Sequence, residues 1–230
     1  MIFRQLFDNQ SWTYTYLLAE RRGGKALIID PVLDEVPRCL RLIQELDLQL
    51  VMAVDTHIHA DHVTGMGRLR QATRCAAAMG EQARTECLSL CFREGQTLRV
   101  DGIALQALYT PGHTDDSYSL VLPDRVFTGD TLLIGGTGRT DFQNGDPGAQ
   151  YDSLFGKLLM LPDDLVVYPA HDYEGRTSST IGMERRFNPR LQVDSREAYV
   201  DQMNALALEP PRLIDVAVPA NRACGLDVAA

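Results

Sequence analysis

The sequence predicts an α/β (α+β) fold in which two similar halves pack as layers. Three observations point there. Short apolar strands alternate with segments of helical spacing in both halves. Hydrophobic residues make up 45% of the 230-residue chain, enough to bury a sizeable core. The residues best suited to binding a ligand fall in loops just past strand ends, where α/β sheets collect their sites.

The chain opens as a hairpin over residues 3–7 and 12–18, turns at Arg21-Arg22-Gly23-Gly24, and continues as an apolar strand over 25–29 that stops at Asp30-Pro31. Val36, Leu40, Ile43 and Leu46 recur at helical spacing, so a helix is predicted over 34–46 with Pro37 tolerated in its first turn. A short buried strand follows over 50–54, and a helix over 63–71. A second strand series runs through 97–100, 103–109, 117–122 and 125–128. A helix over 150–159 then precedes a strand over 165–168. Beyond residue 176, Pro189, Pro210, Pro211 and Pro219 leave one helix, over 195–206. The expected organisation is a single domain, 1–230, with a short C-terminal extension from about 176. Gly135-Gly136-Thr137-Gly138 lacks the Lys-Ser/Thr ending of a P-loop and the strand-to-helix context of a dinucleotide fingerprint, so it is not read as a nucleotide loop.

The formal net charge of -9 argues against a nucleic-acid partner. Met1-Ile2-Phe3-Arg4-Gln5 leads directly into strand-like sequence rather than a secretory signal, and no apolar run reaches the length of a membrane span, so a cytoplasmic protein is expected. The cysteines Cys39, Cys75, Cys87, Cys91 and Cys224 are odd in number and lack zinc-ribbon spacing; they read as buried, reduced thiols, with a reservation for Cys224. Cys87 and Cys91 would share a face if they lay on a helix.

All five histidines belong to one pattern. His57-Ile58-His59-Ala60-Asp61-His62 is followed by His113 in Pro-Gly-His-Thr, Asp130 in Thr-Gly-Asp-Thr, and His171 in Tyr-Pro-Ala-His-Asp-Tyr. Neutral imidazole and carboxylate are ligands that first-row transition metals accept. A lone histidine is more often a hydrogen-bonded core or surface residue. Three imidazoles and a carboxylate within six residues are costly to hold together without a cation, and they point to a metal. Spacing does not separate one metal from two.

These motifs resemble the signature of the metallo-β-lactamase superfamily over residues 1 to about 225. The resemblance implies an αββα sandwich of two mixed sheets flanked by helices. Four stretches look like the persulfide dioxygenase branch. They are Phe3-Arg4-Gln5-Leu6 with Thr13-Tyr14-Thr15-Tyr16-Leu17-Leu18, Gly138-Arg139-Thr140-Asp141-Phe142-Gln143 with Gly145, Asn188-Pro189-Arg190-Leu191, and Pro219-Ala220-Asn221 leading to Cys224-Gly225. That branch is implied to oxidise glutathione persulfide with O2 to sulfite and glutathione at one Fe(II) per chain. The implied ligands are His57, His113 and Asp130, with His59, Asp61, His62 and His171 around them or holding a second metal. The alternative is a binuclear zinc hydroxyacylglutathione hydrolase of glyoxalase II type with two Zn, whose added C-terminal helical region the proline-broken tail does not match. A non-catalytic thiol-binding relative would have lost a ligand, and none is lost. Arg139, Tyr173 and Arg190 are candidates for the substrate carboxylates, although Asp141 competes for Arg139. Cys224 is expected as a redox or entrance thiol rather than a nucleophile. Glutathione persulfide and O2 are the expected partners, with no nucleic acid and no membrane, and a homodimer is compatible with the resemblance.

Overall fold

The alternation of the N-terminal residues turns directly into sheet in the computed structural model, which describes residues 1–226. The chain divides into two units, one made of Met1–Phe92, Thr97–Leu105 and the segment from Pro210, the other of Arg93–Gln96 and Gln106–Glu209.

In the first unit, β1 (Ile2–Asp8), β2 (Thr13–Ala19), β3 (Lys25–Ile29), β4 (Gln49–Val54), β5 (Ala76–Gly80) and β6 (Leu90–Phe92) form a sheet in sequence order. β1 to β3 pair antiparallel and β3 to β6 parallel. Parallel neighbours need crossovers, and α1 (Val36–Glu45) and α2 (Met66–Thr73) supply two of them. Their Val36, Cys39, Ile43, Met66 and Leu69 pack with Leu17, Ile28 and Ala53 of the sheet. β2 is buried along its whole length, as expected of a strand covered on both faces. The C-terminal segment contributes α6 (Ile214–Arg222).

The second sheet contains β7 (Thr97–Val100), β8 (Ile103–Tyr109), β9 (Tyr118–Leu122), β10 (Arg125–Gly129), β11 (Val166–Pro169) and β12 (Ser179–Thr180), in the order β12-β11-β10-β9-β8-β7. β10 and β11 pair parallel, and α3 (Pro147–Gly156) lies in their crossover. Asp146 caps α3 by accepting from Ala149 N, with Pro147 at the first position. α4 (Ile181–Phe187) and α5 (Arg196–Asn204) follow. Leu154, Val167, Ile181 and Tyr199 share one apolar cluster. Both sheets are therefore mixed and flanked by helices, as the sequence implied.

Two features depart from expectation. The helix expected from residue 63 begins at Met66, because the backbone of residues 63–65 bonds across to residues 31–33: Leu33 N donates to Val63 O at 2.8 Å and Gly65 N to Pro31 O at 2.6 Å. Beyond residue 176, α4 and α5 belong to the second unit and α6 to the first. Cys87 and Cys224 form a disulfide, correcting the reading of all five cysteines as reduced. Cys91 lies in β6 and is exposed, so it shares no helical face with Cys87; Cys39 and Cys75 are buried thiols as expected. Among the described residues, no helix is long and apolar enough to cross a membrane.

Candidate metal centre

In the first unit, the loop after β4 carries His57, His59, Asp61 and His62, and all three imidazoles are buried. The rings lie close but tilted to one another, with centroids 4.1 Å apart for His57 and His59 and 4.3 Å for His59 and His62. Behind them stands Asp30, which the sequence reading treated only as a strand stop. It follows the neighbouring parallel strand β3 in the left-handed region, φ 49°. Its Oδ1 accepts from Thr56 N at 2.7 Å and from His59 Nε2 at 3.2 Å, and its Oδ2 accepts from Thr56 Oγ1 at 3.1 Å. Burial pushes the Asp30 carboxyl up to about 6, while nearby His57 and the Thr56 bonds pull it down. Asp30, Asp55 and His59 each place a ligand atom within 4.8 Å of the others. His62 Nδ1 donates to Asp61 Oδ2 at 3.0 Å, and the same oxygen accepts from Thr13 Oγ1 at 3.4 Å. Two carboxylates and an imidazole buried this closely require a proton or a cation among them.

In the second unit, the structure brings His113, Asp130 and His171 together. Asp130 follows β10, and its Oδ1 accepts from His171 Nδ1 at 2.7 Å while its Oδ2 lies 3.6 Å from His113 Nε2. His113 Nδ1 donates to Arg139 O at 2.7 Å; a carbonyl only accepts, so the proton sits on Nδ1. The glycine-rich loop makes this arrangement. Gly138 N donates to Asp130 O at 2.7 Å, and a Cβ at Gly138 would lie 2.3 Å from that oxygen and 2.8 Å from His113 Nδ1. Gln150 Nε2 donates to Gly138 O at 3.0 Å, and Gln150 Oε1 accepts from Tyr199 at 2.8 Å.

The candidate substrate residues divide. Arg139 grips Asp141 with two bonds, 2.6 and 2.7 Å, and donates to the carbonyls of Leu208 and Glu209. That grip holds the Asp141 carboxyl below its usual range. Arg190 donates to Thr137 O at 2.7 Å, and burial lowers its pKa. Tyr173 is 59% exposed, with its ring parallel to that of His171 at 6.2 Å. Cys224 is fully buried and bonded to Cys87, which corrects its reading as an entrance thiol.

The sequence model described as "Metallo-beta-lactamase superfamily" matches residues 13–87 and 89–171. The mitochondrial persulfide dioxygenase ETHE1 of Homo sapiens is 45% identical over 228 residues, covering 98% of this chain and 89% of that one. The chain belongs to the persulfide dioxygenase family of the metallo-β-lactamase superfamily. The crystal structure of ETHE1 from Myxococcus xanthus superposes with a TM-score of 0.96 at 52% identity, covering 98% of this chain and all of that one (100%). Hydroxyacylglutathione hydrolase GloC of Haemophilus influenzae is more distant, 34% identical over 193 residues that cover 74% of this chain and 89% of that one. In this persulfide dioxygenase family member, the imidazoles and carboxylates in each unit are donors that fit a first-row metal.

Proposed function

We propose that this persulfide dioxygenase family member oxidises glutathione persulfide with O2 and one water to sulfite and glutathione at a single non-haem iron. The observation that carries the reading is the 45% identity to a persulfide dioxygenase along nearly the whole chain. His57, His113 and Asp130 are the ligands assigned to the iron, two imidazoles and one carboxylate. An iron(II) so held supplies open positions where dioxygen and a persulfide sulfur can meet, together with the electrons that start the oxidation.

The chain's own residues set how such a ligand set would work. The bond from His113 Nδ1 to Arg139 O fixes the ring and makes Nε2 its ligand atom. His57 Nδ1 lies 3.0 Å from Thr56 Oγ1, which orients that ring in the same way. His171 holds Asp130 Oδ1, leaving Oδ2 as the oxygen assigned to the metal. Asp30 orients His59, and Asp61 orients His62. Tyr173 is assigned to a substrate carboxylate because it is exposed beside His171. Arg139, bonded through Nε, Nη1 and Nη2, and Arg190, which donates through Nη1 to Thr137 O, are assigned to holding the glycine-rich loop.

The 34% identity to a hydroxyacylglutathione hydrolase supports a second reading, a binuclear zinc thioesterase that uses His59, Asp61, His62 and His171 as further ligands. Metal analysis of protein purified without added metal, paired with oxygen uptake on glutathione persulfide, tests both. One iron with persulfide-dependent oxygen uptake is expected. Two zinc ions with hydrolysis of S-lactoylglutathione and no oxygen uptake would replace the first reading by the second.

A further inference from the structure

The histidine loop is held from behind by a side chain more than a hundred and fifty residues later in the chain. Asn221 lies on α6 and is 2% exposed. Its Nδ2 donates to His59 O at 2.9 Å and to His62 O at 2.8 Å, and its Oδ1 accepts from Thr64 N at 2.8 Å. A primary amide offers two N–H donors and an acceptor on one planar group, so the three bonds match its chemistry. Aspartate at the same length would turn an oxygen toward two carbonyls. Glutamine would add a methylene where the backbones leave no room: a Cβ at Gly225 would lie 2.1 Å from Thr64 O, and one at Gly67 would lie 2.4 Å from Cys224 O. Gly67 N donates to Cys224 O at 2.9 Å, fastening the end of this segment to α2. The amide therefore fixes where the backbone of the loop sits, and with it the imidazoles of His59 and His62.

We propose that Asn221 is a positioning residue for the metal centre, setting metal affinity and ligand field through the backbone of the histidine loop. The proposal rests on this loop being a metal loop, and not on which substrate is oxidised.

Cobalt(II) is the probe, because its visible absorption reports the geometry of its ligands. Metal-free protein is titrated with cobalt(II) well below its melting temperature, for the parent, Asn221→Ala and Asn221→Asp. Ala217→Gly serves as a control that loosens the same helix at a fully buried residue whose side chain makes no bond to the loop. Both Asn221 variants are expected to bind cobalt(II) about 10–100-fold more weakly, with a changed absorption band. Asn221→Asp keeps the acceptor for Thr64 N, so it decides the matter if Asn221→Ala does not fold. Ala217→Gly is expected to melt earlier yet keep the parental affinity and band. Parental affinity and band in the folded Asn221 variants, or an equal loss in Ala217→Gly, overturns the proposal while leaving the metal reading intact. A parent protein that binds no cobalt(II) overturns the metal reading and the proposal together.

Discussion

Replacing Cys87 by serine tests the largest departure of the structure from sequence expectation. The Cys87–Cys224 bond joins residues separated by 137 positions, so it closes a loop that takes in most of the chain. Chain-entropy accounting for a loop of that length gives about 5 kcal/mol of stabilisation at 25 °C. Native-state adjustment and residual structure in the unfolded chain reduce such figures, so a loss of about 2–5 kcal/mol is expected. Little is added from packing. Thr85 Oγ1 lies 3.0 Å from Cys87 Sγ and can bond a serine hydroxyl there, while Cys224 stays buried as a small apolar group. The assay is denaturant unfolding without reductant, followed by fluorescence of Trp12, the chain's single tryptophan, which lies in the unit that holds the disulfide. The parent should unfold at higher denaturant than Cys87→Ser, and a reducing agent should bring the two together. Thiol titration of the unfolded, unreduced parent should count three thiols, those of Cys39, Cys75 and Cys91. Five titrating thiols, or coincident unfolding curves without reductant, would refute the reasoning.

Gly138→Ala should cut iron content at least tenfold and destabilise the protein by about 1–3 kcal/mol, since its Cβ would displace Asp130 O or the His113 ring; parental iron content would count against the loop's role. Arg190→Ala should cost about 1.5–3 kcal/mol of stability through the lost bond to Thr137 O, with KM for glutathione persulfide little changed; a raised KM at unchanged stability would return Arg190 to the substrate groove. His113→Ala should abolish iron retention, whereas His171→Ala should keep most of the iron and lower activity about 10–100-fold; equal iron loss in both would argue against the one-iron ligand set. Asp30 binds its proton more tightly folded than unfolded, so in metal-free protein the stability it confers is present below its unfolded pKa and lost as pH rises through about 6. The Asp30→Asn variant should flatten that part of the metal-free stability profile, and an unflattened profile would assign the pH dependence to other groups.

What could be read from the sequence was chemistry carried by residue type at short range. The histidine loop announced itself because imidazoles are few and four candidate ligands, three imidazoles and a carboxylate, crowd into six residues. The grip of Arg139 on Asp141 was foreseeable for the same reason, the partners being two residues apart. Strand β5 was not legible: Ala76-Ala77-Ala78 has weak strand preference, and its extended form comes from parallel pairing with β4 and β6. Helix α6 was hidden by Pro219, which sits inside the nine-residue helix, where proline is disfavoured because it cannot donate the helical bond. Asp30 looked like a turn residue, although it closes the strand that pairs in parallel with the strand leading into the histidines, and parallel neighbours end on the same side. Asn221 and Cys224 were visible only as parts of a resembling motif, because their partners lie far away in sequence. The division has a physical cause. A donor set can be recognised from the groups it contains, whereas a backbone clamp such as Asn221 is defined by the three peptide groups that fold up against it, and peptide groups are the same at every position.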